Sequence, residues 1–255
     1  MSFDQGQTYS TEAQKGIDSD CLQNSLKNLQ NRFGKGAMAY WQSMEDGALR
    51  DRVKTKRMKT LENLDVVLAL LAENIQKNGG NVFFATTAED AVNYCLRVAK
   101  KNEVKSVVKG KSMTSAEIEI DAALEKYGIE VVETDLGEYI VQLAGDTPSH
   151  IIAPCIHLDR TEIGKLFAEK LAIDFTDDPP ELTRAARKAL REKMISADMG
   201  ITGCNIGCAE TGQISLVSNE GNIRMVTTMP PIHIALMGIE RVAATMADHQ
   251  GMLQL

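Results

Sequence analysis

An α/β fold is predicted by three features of the sequence: a sheet with helices on both faces, preceded by a helical cap and followed by a smaller β-rich portion. From Asn81 to Ala197, short apolar runs alternate with stretches of helical periodicity. Thr-x-x-Glu signatures open two of those stretches, as capping boxes do. After Asp198 the rhythm changes to short β-like pieces separated by Gly, Asn and Pro-Pro turns.

In the first eighty residues Leu22, Leu26 and Leu29 keep one helical face apolar. Leu61, Leu64, Val67, Leu68 and Leu71 do so again before the stop at Gly79-Gly80. Residues 1–80 therefore read as an N-terminal helical cap and 81–255 as the α/β domain. Trp41, the only tryptophan, is expected to anchor the cap. Val82 to Ala85 reads as a strand, followed by a helix capped by Thr86 with Glu89. Ser106-Val107-Val108 is the next strand and runs into Gly110-Lys111-Ser112-Met113. Thr114 and Glu117 then form a second capping box, for a helix ending near Gly128. Ile129 to Val132 and His150 to Ala153 read as further strands. Two helices follow, near 160–171 and 179–197; the second has Asp178 as cap, Pro179 at its first position and Glu181 in its first turn. Ile214 to Val217, Ile223 to Val226 and Ile232 to Leu236 are the β-like pieces of the C-terminal portion. No internal repeat is visible.

With 255 residues, of which 44% are hydrophobic, the chain has ample material for a core. A formal charge of −7 argues against general binding to a phosphate backbone, so no nucleic-acid partner is expected. The basic run from Arg50 to Lys59 reads as the solvated face of a helix. No stretch approaches the roughly 20 apolar residues of a membrane span, and no signal pattern opens the chain, so a cytoplasmic location is expected. Five cysteines at irregular spacing read as reduced thiols.

The segment from Gly200 to Gly221 is the richest in chemistry. It brackets the apolar run at Ile214, Leu216 and Val217 with Ala209-Glu210-Thr211-Gly212 before it and Ser218-Asn219-Glu220-Gly221 after it. A carboxylate in a Gly-bounded turn is either a site residue or part of a hairpin that needs those turn formers. Gly110-Lys111-Ser112 lacks the earlier glycine of a P-loop, since Lys105 stands there. It is read either as an anion site at a helix N-terminus or as a plain strand-to-helix turn. Glu133-Thr134-Asp135 with Glu138 follows a strand, where open α/β sheets gather ligands; the alternative is a solvated acidic loop. Cys155, His157, Cys204 and Cys208 offer soft ligands, but without a C-x-x-C spacing no metal is assigned to them. His150 and His233 sit beside apolar strand residues, as structural or catalytic histidines do.

Read together, SMT, VVETDLGEYI, PSHI, GITG, AETG, NEGN and PPIHI, in this order and over most of the chain from Met38, resemble the lactate utilisation protein B family in its N-terminal LUD domain. The resemblance implies a fold like that of the sugar-phosphate isomerase and coenzyme A transferase superfamily (the NagB/RpiA/CoA-transferase type). It also implies a role in an iron–sulfur-dependent complex that oxidises L-lactate to pyruvate, with other lactate utilisation subunits as partners and a small 2-hydroxy acid as substrate. Members of this kind continue into a ferredoxin-like region with two C-x-x-C-x-x-C-x-x-x-C-P runs. This sequence ends at Leu255 without them, and reads either as a fragment or as a stand-alone LUD protein. No cofactor is therefore expected in this chain, and the 4Fe-4S clusters are expected in a missing C-terminal region or a partner subunit.

By position, Glu210, Thr211, Gly212, Asn219, Glu220 and Gly221 match the most characteristic family motif, with Lys111, Ser112, Thr114, Glu133, Asp135, His150 and His233 in second rank. Oxidation of a 2-hydroxy acid needs a base, for which Glu210 and His233 are the candidates. The others are expected to bind substrate, with Lys111, Ser112 and the amides after them receiving its carboxylate. Two other readings remain: a non-catalytic assembly module, and an isomerase or acyl transferase using the pocket of the fold.

Overall fold

The computed structural model describes residues 5–44 and 46–255. Residues 1–4 and 45, which fall in the expected N-terminal cap, lie outside the described residues. The chain forms two compact units, one of residues 5–44 with 136–189, the other of residues 46–135 with 190–255.

The first unit contains α1 (Gln5–Asp18), α2 (Asp20–Leu29), a π-helical turn (Gln30–Gly34) and α3 (Lys35–Ser43). Ser19 caps α2 by accepting the Leu22 amide, but neither α2 nor α3 has a fully buried residue. Trp41 does not anchor the cap by burial: 42% of it is exposed, and its ring meets Tyr40 edge-on. The later part of this unit is better packed. Here α4 (Leu49–Glu62), α5 (Leu64–Lys77), α6 (Ala88–Lys101), α7 (Met113–Glu117) and α8 (Ile120–Lys126) intervene in the chain before α9 (Leu136–Ala144). α10 (Arg160–Leu171) packs against α9. α9 ends at Gly145, whose positive φ of 66° lets the Gly145 and Asp146 amides return to the Gln142 and Val141 carbonyls. α10 opens with a full capping box between Asp159 and Glu162. α11 (Pro179–Ser196) begins as expected, with Asp178 accepting from the Glu181 amide.

The second unit is built on a parallel sheet in the order β2-β1-β3-β6, from β1 (Ser106–Lys109), β2 (Glu130–Glu133), β3 (Met199–Gly203) and β6 (Ile232–Leu236). Side chains alternate across it. On one face Val107, Val131, Met199 and Ile201 pack with Cys95, Leu96 and Ala99 of α6 and Ile120 and Leu124 of α8. The other face receives α12 (Asn222–Thr228), whose Ile223 and Val226 come against Gly110 and Gly200. Gly200 is required there, since a Cβ would lie 2.1 Å from the Val226 carbonyl oxygen. The smaller sheet has the order β5-β4-β7, from β4 (Ile206–Cys208), β5 (Gln213–Ser215) and β7 (Val242–Ala243). Val67 and Leu71 of α5 cover it with Ala209 and Val242, and α13 (Met246–Leu253) closes the chain.

The α/β architecture is as the alternation predicted, with several local corrections. Val82 to Ala85 is not a strand: Phe83 instead stacks on Tyr94 of α6, ring centroids 4.4 Å apart, with Arg97 over both rings. The cap of α6 is Thr87 with Asp90 rather than Thr86 with Glu89, because Asp90 also accepts the Thr86 and Thr87 amides. Thr114 and Glu117 form no box; Ser112 caps α7, and Glu119 in the left-handed region separates α7 from α8. The apolar stretch across Leu61 and Leu64 is two helices, broken at Asn63. His150 to Ala153 is a bend, because His150 Nδ1 accepts the amides of Ile152 and Ala153 and turns the chain. Ile223 to Val226 is the helix α12, started by Gly221 at φ 77°, with Ile223 and Val226 one turn apart on its buried side. Met199 to Gly203, two glycines in five residues, is a central strand with no sequence-level strand signal.

Candidate functional site

The carboxyl ends of β1, β2 and β3 carry two polar constellations, one on each face of the sheet. That end is where parallel α/β sheets place ligands. On the α8 face, Lys109 ends β1 and is 2% exposed. Its ammonium lies 2.6 Å from Asp121 Oδ2 and 2.8 Å from Glu133 Oε1. Burial works against the charge, but Glu133 and Asp121 outweigh it and hold the pKa above the ordinary 10.5. Glu133, expected to bind substrate, is thus the counter-ion of a buried lysine.

On the α12 face, Thr134 Oγ1 donates to the Lys109 carbonyl at 2.9 Å and accepts from Asn222 Nδ2 at 3.0 Å. The same Asn222 nitrogen reaches Asp135 Oδ2 at 2.9 Å. That carboxylate also accepts the Lys111 amide at 2.7 Å. The Lys111 amide, just before the amides expected to receive a ligand carboxylate, thus holds an internal one. Ser112 caps α7 through the Ser115 amide and lies against β3, where a Cβ on Gly203 would sit 3.0 Å from Ser112 Oγ. Thr202, fully buried in β3, shares a 2.8 Å hydrogen bond with Nε2 of His233 in β6. A Cβ on Gly110 would come within 3.8 Å of the Thr202 methyl. Thr202, the hydrogen-bond partner of His233, thus lies near Gly110, the residue before Lys111.

Burial lowers the His233 pKa below 6.5, so the imidazole is neutral at pH 7, as a base must be. The sign of the linkage follows. The unfolded chain takes up a proton that the native site resists, so this contribution is intact above pH 6.5 and declines as the pH falls through 6.5 toward the native value. Urea midpoints should therefore drop more between about pH 7.5 and pH 5.5 for the natural chain than for His233→Gln. Equal drops would show that His233 titrates alike in both states.

The other expected site residues lie elsewhere. Glu210, Thr211 and Gly212 form the β4–β5 turn. Glu210 Oε2 accepts the Met246 amide at 2.7 Å, in the first turn of α13. Asn74 and Asn78 of α5 donate to the carbonyls of Ala209, Glu210 and Thr211. Gly212 presses so closely on α5 that a Cβ would be 2.5 Å from the Asn74 carbonyl carbon. Asn219, Glu220 and Gly221 form the turn into α12, where the Gly221 amide donates to Ser218 Oγ. Thr114 lies in α7 and His150 in the bend of the first unit. The structure thus joins Lys111 to Asp135 and places Ser112 against β3, pairs His233 with Thr202 of β3, and leaves Glu210 to Gly212 in the smaller sheet.

Lys109, Asp121, Thr202 and Asn222 were not singled out from the sequence. Asn222 closes the NEGN motif and was within reach; a lone lysine at a strand end gives no sign of burial.

Burial pushes the Cys95 and Cys204 thiols up to about 11, and Cys95 and Cys208 are buried. Among the described residues, no group of three or more His, Cys, Asp or Glu side chains is placed to hold a metal ion. No described helix is long and apolar enough to cross a membrane. In the basic run, Lys56 pairs with Asp248, Arg52 with Asp46, and Arg57 donates to the Glu240 carbonyl.

A mixed α/β protein with a parallel sheet and its polar groups at the carboxyl strand ends is the class these observations define. Residues 68–255 match the LUD domain family, and the chain belongs to it. It is 47% identical over 251 residues to lactate utilization protein B of Oceanobacillus iheyensis, covering 97% of this chain and 52% of that protein. It is 53% identical over 192 residues to lactate utilization protein B of Bacillus cytotoxicus, 75% of this chain and 41% of the relative. It is 42% identical over 246 residues to the uncharacterized electron transport protein YkgF of Escherichia coli K12, covering 94% and 51%. The chain spans about half the length of the curated relatives it matches. No solved structure matches it.

Proposed function

We propose that this chain is the substrate-binding LUD part of a cytoplasmic complex that oxidises L-lactate to pyruvate. The observation that carries the reading is that 97% of this chain aligns, at 47% identity, with about half of a lactate utilization protein B. The electron-transport name of the Escherichia coli relative supports a redox setting. The 4Fe-4S clusters are assigned to partner subunits or to a further region of the protein, and no step of the chemistry is placed at the cysteines of this chain.

Conversion of lactate to pyruvate removes two electrons and two protons, so one group must accept the hydroxyl or α-proton. Of the two candidate bases, His233 suits the role better, its burial favouring the neutral imidazole and its Nε2 bonded to Thr202 of the central strand. The carboxylate of Glu210 supports α13 instead. The reading assigns the substrate carboxylate to the Lys111–Ser112 loop, at groups other than the Lys111 amide, which Asp135 already holds.

Co-expression with the partner subunits and measurement of pyruvate formed from L-lactate tests this. His233→Gln is expected to lower turnover about 100-fold or more while the complex still assembles, and Glu210→Gln to keep most of it. Full activity in His233→Gln would leave this domain a non-catalytic assembly module. A complex that binds no lactate and forms no pyruvate would overturn the reading.

A further inference from the structure

We propose that Ser149, His157 and Asp146 of the first unit form a separate nucleophilic site that transfers acyl groups from esters of short aliphatic acids. Ser149 Oγ lies 2.6 Å from His157 Nδ1, and His157 Nε2 lies 2.8 Å from Asp146 Oδ2. A hydroxyl, an imidazole and a carboxylate are thus joined in series. This is the connection that activates a serine: the carboxylate fixes the tautomer with hydrogen on Nε2, leaving the Nδ1 lone pair for the Ser149 proton. The ring runs in the reverse sense to the usual triad, with Nδ1 on the serine, and either ring nitrogen can serve as the base.

The framework holds these groups before any ligand arrives. Asp146 follows directly on the Gly145 cap of α9, and its other oxygen accepts the Thr147 amide at 2.7 Å. His157 lies two residues before Asp159, the cap of α10. Between them the Ser149 amide donates to the Pro154 carbonyl at 2.9 Å, and successive turns join Ile156 to Ala153 and Leu158 to Cys155. Pro154 in turn lies against α9, where a Cβ on Gly137 would be 2.9 Å from its Cγ. The Thr147 amide and His157 together keep the Asp146 carboxyl below its usual pKa, in the ionised form that orients an imidazole.

Ser149 is exposed and therefore open to a reagent. Ile151 and Ile152 beside it are 62% and 64% exposed, an apolar surface suited to a short alkyl chain. His150 serves this site by position, its Nδ1 bending the chain that carries the two isoleucines.

In the first step a bond forms from Ser149 Oγ to the acyl carbon as the ester C–O bond breaks. The Ser149 proton passes to His157 Nδ1 and then to the departing alkoxide. Water repeats the sequence on the acyl-serine, giving its proton through His157 back to Ser149 Oγ. The net change is ester plus water to acid plus alcohol, with no oxidant or reductant.

The test uses the full chain with p-nitrophenyl butyrate and a fluorophosphonate probe, read by absorbance, intact mass and peptide mapping. One adduct on Ser149 is expected, with nitrophenolate release about 100-fold above that of Ser149→Ala. His157→Gln is expected to fall to the Ser149→Ala rate. Asp146→Asn should lower kcat with KM unchanged, and Asp146→Glu should recover part of it, a split that a merely structural role would not give. No adduct, an adduct elsewhere, or an unchanged rate in His157→Gln would overturn the proposal. Ser149 is a small exposed loop residue, so Ser149→Ala should keep its thermal midpoint, and labelling of the natural chain needs no variant at all.

Discussion

Lys109→Met is expected to destabilise the chain by about 3 kcal/mol, because it takes the counter-ion from the largely buried Glu133 carboxylate and from the more open Asp121. Asp121 Oδ1 has no protein hydrogen-bond partner, so no neighbouring side chain compensates for the lost ammonium. Urea unfolding measures the effect. The triple variant Lys109→Met, Asp121→Asn, Glu133→Gln should regain much of it, since the penalty lies in orphaned charge rather than in lost packing. The pH dependence has a definite sign: a lysine whose pKa is raised by folding stabilises below its unfolded value of 10.5, and the contribution goes as the pH climbs through the native value. A Lys109→Met variant as stable as the natural chain would show that the pair contributes nothing net.

Gly200→Ala is the second large effect, about 3 kcal/mol. Its Cβ would overlap the Val226 carbonyl oxygen at 2.1 Å and meet the Val226 carbonyl carbon at 3.1 Å, and backbone cannot step aside as a flexible side chain does. α12 would have to lift from the sheet, taking Asn222 away from Thr134 and Asp135. Gly47→Ala is the control, with nothing within 4 Å of the added atom, and should leave the denaturation midpoint unchanged. Equal midpoints for the two variants would mean that α12 accommodates the methyl group freely.

The parallel sheet was legible because β1 and β2 each centre on a Val-Val pair followed by a stretch of helical pattern, a local signal. The errors have local causes too. Thr86-Thr87-Ala88-Glu89-Asp90 offers two capping frames, and only the hydrogen bonds of Asp90 choose the second. Val82 to Ala85 and His150 to Ala153 have strand-like composition but no neighbouring strand, and composition does not report pairing. β3 was hidden for the opposite reason: its glycines are there for the approach of α12 and Ser112, not for strand propensity. The site was half legible. Lys111, Ser112 and Asp135 stand in turns after strands, where the sequence points, and His233 was legible beside its apolar strand, but Asn222 reaches Asp135 from 87 residues further on. Glu210 drew notice as a carboxylate among glycines, and those glycines prove to serve the contact with α5.

The place of β3 between β1 and β6 has a consequence for how the chain emerges from the ribosome. β1 pairs with β2 early, since roughly 20 residues separate them, but its other neighbour is about 90 residues away. At about 5–20 residues per second, that edge of β1 waits roughly 5–20 s for its partner. During this interval Val107 and Val108, buried in the finished sheet, lie on an open apolar edge of the kind that pairs with other chains. Until β3 is made, that edge is an aggregation hazard of the nascent chain that the finished sheet removes.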